Sequence, residues 1–148
     1  MYEILFQSHS GLRFIVLFAL TIATILAFAG WLGHKPFTKT NKVFNLLTLI
    51  STHLQVVLGI ILYFFSPFVQ LNNMAATMKT DTLRYWTVEH GAMMIIAVIL
   101  ITVGHVKSKK ASGGEAKNRT AAIFFGLAFL LIIAGIVLGG RPLLAVSH

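Results

Sequence analysis

The chain has 148 residues, of which 57% are hydrophobic and 11% charged, and it contains no cysteine. Soluble domains carry roughly 25% charged residues, so the composition excludes an ordinary soluble fold and indicates a single integral membrane domain. Lack of cysteine excludes disulfides, thiolate ligands and covalent attachment of a c-type haem. The formal charge of +8 does not signal nucleic-acid binding, because the basic residues cluster in two short stretches beside apolar segments.

Four apolar segments cover residues 11–33, 43–65, 85–106 and 121–140. Each is about the 20 residues needed to cross a bilayer. Backbone groups in lipid must bond within their own segment, so the expected fold is an all-α, four-helix membrane bundle over residues 1–148. The N-terminal stretch lacks the basic leader and cleavage site of a signal peptide. Pro67 ends the second segment, and the following loop is long enough for a short interfacial helix at Met74–Lys79, or to cover a site. The last segment carries Gly135 and Gly139, a GxxxG spacing that reads as a packing face.

Charge sets the expected orientation. The first connection holds Lys35, Lys39 and Lys42; the third holds Lys107, Lys109, Lys110, Lys117 and Arg119 around a Ser112-Gly113-Gly114 sequence that reads as a flexible linker. The second is nearly neutral, with Lys79 and Arg84 against Asp81. The positive-inside rule then puts the two lysine-rich connections in the cytoplasm and both termini of this multi-pass chain outside. Trp31, Tyr85 and Trp86 fit aromatic belts at the two faces.

Histidines carry the functional signal. His90 and His105 lie fifteen residues apart on the third segment, which on a helix is the same side and a rise of roughly 22 Å. Met93, Met94, Ala97, Ile101 and Gly104 share their face. Ala97 and Gly104 leave room for a flat macrocycle, or let helices pack closely. His9 opens the first segment at about the depth of His90, and two imidazoles at one depth on two helices can fill both axial positions of a haem iron. Arg13, one turn on, can pair with Glu89 or a haem propionate, or snorkel to the headgroups. His53 lies mid-segment and needs a partner; His105 across an inner haem is one candidate and a structural hydrogen bond another. Thr48, Ser51, Gln55, Gly59 and Tyr63 form a small, polar stripe expected to face the bundle interior. His34 is expected in a solvated turn, and His148 is terminal. Glu89, beside His90, is the acidic residue within a span and a candidate proton relay.

The HSGLRF, HLQVVLGIILYFFSP, RYWTVEH and GHVKSKK runs resemble small four-helix bacterial membrane proteins labelled cytochrome b, and through histidine placement the wider cytochrome b561-like bundles. The resemblance implies haem b, one or two groups, held between helices by His9, His53, His90 and His105 as iron ligands. Arg13, Glu89 and Arg84 would support the outer site. It implies electron transfer at the membrane, with quinone or a larger respiratory complex as redox partner. The chain departs from a four-ligand pattern in that the last segment has no histidine. Two other readings remain: an accessory subunit of a larger membrane complex, and a small metal or haem transporter. No hydrolytic triad, phosphate loop or carboxylate pair is present, so an electron carrier fits better than an enzyme.

Overall fold

The computed structural model describes residues 1–140; His148 lies outside the described residues. Six α-helices form: α1 (Tyr2–Leu32), α2 (Lys39–Phe65), α3 (Met74–Lys79), α4 (Asp81–Arg84), α5 (His90–Lys110) and α6 (Gly114–Leu138), with a π-helical turn at Tyr85–Glu89 joining α4 to α5. No strand occurs among the described residues. Four helical stretches are long and apolar enough to cross a membrane: Tyr2–Leu32, Lys39–Phe65, Asp81–Lys110 and Gly114–Leu138.

These helices outrun the apolar segments. α1 begins nine residues before Gly11, so His9 sits within a helix rather than ahead of one. Likewise α5 continues through Lys110 and α6 starts at Gly114, leaving a turn of three residues where a flexible linker was expected. The basic residues of that region therefore project from helix ends. Side chains staple the turn: Ser108 Oγ donates to the Lys117 carbonyl (2.8 Å), and Lys117 Nζ donates to the Lys109 carbonyl (2.6 Å). The short α3 forms as expected, capped by the Asn73 side chain accepting from the Ala76 amide.

The spans pack in ring order α1–α2–α5–α6, with the α2–α5 seam much the thinnest. α1 therefore faces α5 across the diagonal, and α2 faces α6. Small residues on α6 (Ala121, Ala122 and Ala128) are fully buried and let α1 and α5 close on it. The lysine-rich half of the bundle is solid, filled by Leu20, Ile101 and Phe125, all fully buried.

Polar side chains lock that solid end. Asn118 on α6 has no exposed surface. Its Nδ2 donates to the Lys35 carbonyl (3.2 Å), and its Oδ1 accepts from Asn41 Nδ2 on α2 (3.4 Å). Gly30 makes the space, since any side chain there would overlap the Asn118 amide. Thr38 and Asn41 form a reciprocal capping box that starts α2. Asn118→Leu leaves the buried Asn41 amide nitrogen without its Asn118 partner and removes the bond to the Lys35 carbonyl. It should cost about 1–3 kcal/mol, read as a lowered midpoint in thermal unfolding of the detergent-solubilised protein.

Candidate functional site

At the other end the bundle is hollow. A cavity of about 520 Å³ lies between the four spans, within the roughly 300–1,000 Å³ usual for cofactor and small-molecule sites. Its wall is mostly apolar, and both His9 of α1 and His90 of α5 line it. These imidazoles come from diagonally opposed helices, so the space between them is the axis of the bundle.

Gly59 on α2, Gly91 on α5 and Gly135 on α6 all line the cavity. At Gly135 the room beside the backbone is taken by the Met94 and Met93 side chains. A Cβ at Gly59 would stand 3.1 Å from His9 Nε2, so glycine is what lets that ring lie against α2. At Gly91 a Cβ would meet nothing within 4 Å. The small, polar stripe of α2 does face inward: Thr48 and Ser51 are buried, and Gln55, Gly59 and Tyr63 line the cavity.

Each histidine is fixed by its neighbours. Gln55 Nε2 donates to the His9 carbonyl (2.8 Å), tying α1 to α2 at this level. His90 directly succeeds the π-turn, its own N–H reaching back to the Tyr85 carbonyl. A π-turn inserts an extra residue and re-aims the side chains after it, and such turns recur at functional sites. The Tyr85 ring lies 5.8 Å and the Trp86 ring 5.0 Å from the His90 ring. The Tyr85 hydroxyl sits 3.5 Å from His90 Nδ1 and also donates to the Gly135 carbonyl of α6. The loop after α2 covers the end of the cavity with Phe68 and Val69. It is pinned there by the Gln70 amide donating to Thr87 Oγ1 (3.0 Å), while Tyr63 Oη of α2 donates to the Thr87 carbonyl (2.7 Å).

Other expected site residues divide between the cavity wall and places away from it. Arg13 lines the cavity, its guanidinium 5.2 Å from the Phe14 ring centroid. Glu89 forms its ion pair with Arg84 (2.7 Å), which also reaches Asp81 (3.2 Å), so this charge cluster sits at the helix start and not on the cavity wall. His53 does not enter the cavity. It is exposed on the α2–α5 seam, its Nε2 2.9 Å from Thr102 Oγ1, in an open apolar groove between Val56, Val98 and Ile99. His105, half-buried one turn beyond Thr102, lines neither space, and its Nδ1 has no hydrogen-bond partner. Gly104 leaves no slot beside it, because Phe124 and Phe125 occupy the position. His34 is exposed, 3.7 Å from Glu115. Among the described residues no group of three or more His, Asp or Glu could hold a bare metal ion.

No protein-family model, curated protein or solved structure matches the chain. The cytochrome b resemblance thus stands on its residue motifs alone.

Two glycines of this end should respond oppositely to substitution. A Cβ at Gly139 would come within 2.8 Å of the rigid Tyr85 ring, so Gly139→Leu should destabilise by about 1–3 kcal/mol through overpacking. Gly91→Ala meets open space and gains helix propensity, so it should be neutral or stabilise by up to about 1 kcal/mol. Thermal unfolding of the two variants side by side checks both.

Proposed function

We propose that this protein is a membrane b-type cytochrome that binds one haem b in the cavity, with His9 and His90 as the two axial ligands, and carries single electrons. The observation that carries this reading is the pair of imidazoles brought to one apolar cavity from diagonally opposed helices. The residues fit the group. Gly91 borders open space, Gly59 lets the His9 ring lie against α2, and the mostly apolar wall suits the faces of a flat macrocycle. When bound, haem supplies an iron that alternates between ferric and ferrous states.

The chain's own residues do the rest. His9 and His90 would both hold the iron, and a group held from both sides by imidazoles suits electron transfer better than substrate activation. Tyr85 and Trp86 hold the His90 ring, and Gln55 holds the backbone at His9, so little reorganisation accompanies a change of charge. The loop bearing Phe68 and Val69 adds apolar wall at the mouth of the cavity. We place the lysine-rich end in the cytoplasm by the positive-inside rule, which puts the cavity toward the opposite face of a bacterial inner membrane. Quinone or a respiratory complex would exchange electrons there.

A second haem between His53 and His105 is not part of this reading. His53 spends its Nε2 on Thr102 in a groove that is open on one side and encloses no macrocycle.

The test is a reduced-minus-oxidised visible spectrum of purified protein expressed with ample haem, with pyridine haemochrome stoichiometry. The expected result is a sharp b-type α band and one haem per chain, lost in His9→Ala and His90→Ala and retained in His53→Ala. A colourless wild-type protein would overturn the reading.

A further inference from the structure

The cavity is chemically lopsided. At the mouth its wall is Phe6, Phe64 and Phe68. One turn deeper on α1 than His9, a rise of about 6 Å, stands Arg13, the sole lysine or arginine among the described residues lining the cavity. Gln55 and Thr52 of the neighbouring α2 also line the cavity, the latter seven residues (about 10 Å) inward of Gly59. Thr52 is only 4% exposed, and its hydroxyl has no hydrogen-bond partner. Gln55 has spent Nε2 on the His9 carbonyl, and its Oε1 is likewise buried without a partner.

Buried polar atoms in an apolar setting cost free energy unless something pairs with them. Here two such atoms and a guanidinium share one wall, and their bonding capacities are complementary: Arg13 and Thr52 can donate, and Gln55 Oε1 can only accept. A carboxyl group matches both functions. Its oxygens accept from Arg13 and Thr52, and its O–H, when protonated, donates to Gln55.

We propose that the cavity takes its ligand with the carboxyl groups pointing inward, toward the middle of the bundle, where Arg13, Thr52 and Gln55 receive them. This rests on the haem reading, in which those groups are the propionates. The aromatic mouth offers them no cation, so the inward end is the one that can bind their charge.

The test titrates the haem-free full-length protein in nanodiscs with haem b and with its dimethyl ester, which keeps the macrocycle and removes the acids. Wild-type protein is expected to prefer the free acid by roughly tenfold or more, the factor that about 1.4 kcal/mol gives. Thr52→Val and Arg13→Gln should each shrink that preference. Non-specific partition of the ester into lipid cancels when the preference is compared between wild type and variants, and circular dichroism confirms that each variant is folded. Equal affinities for acid and ester, or a preference unchanged in both variants, would overturn the inward placement while leaving haem binding intact. A wild-type protein that binds neither would overturn the haem reading along with it.

Discussion

Close packing along α6 is the constraint on which the rest of this structure depends. Ala121, Ala122 and Ala128 bring α1 and α5 onto α6 across short distances, and Phe125 fills the centre. Without a hydrophobic drive between helices in lipid, such close van der Waals contact is what holds spans together. The helices cannot be equally close everywhere. α2 joins the ring through α1 and makes only a thin seam with α5, so one half of the bundle is solid and the other is hollow.

The solid end is filled by Phe125, Leu20 and Ile101; in the hollow half Gly91 borders open space, while His9 packs against Gly59 and Met94 against Gly135. An apolar void in a close-packed interior forfeits dispersion contacts and is destabilising. Its persistence here, with two histidines, an arginine and two unpartnered polar atoms on the wall, is better explained by an occupant than by poor packing. The polar groups are an independent sign, since a span exposes such groups to the interior at a cost that only function or pairing offsets.

Much of this was legible in the chain. Run length and hydropathy marked the four spans, and the length of the loop after Pro67 left room for α3. Counting depth along helices put His9 and His90 at one level. The rest depends on rotation and tertiary contact, which periodicity does not reveal. His53 reads equally well as a ligand or a structural donor until Thr102 is seen beside it. Gly104 could have been a slot or a packing site, and Phe124 decides for packing. Glu89 offered itself to Arg13, but Arg84, five residues away across the π-turn, holds it. Tyr85 looked like an interfacial aromatic because a belt residue and a clamp on His90 have the same sequence signature. Thr52 gave no signal at all; only its burial beside the cavity marks it.

The central claim is that two imidazoles from opposed helices share one iron. Low-temperature electron paramagnetic resonance of the ferric protein tests it most directly, because spin state reports axial ligation without reference to partner or pathway. The account predicts a low-spin signal of two histidines in the wild type and its loss in both His9→Ala and His90→Ala. A high-spin wild type, or a low-spin signal that survives either substitution, would contradict it.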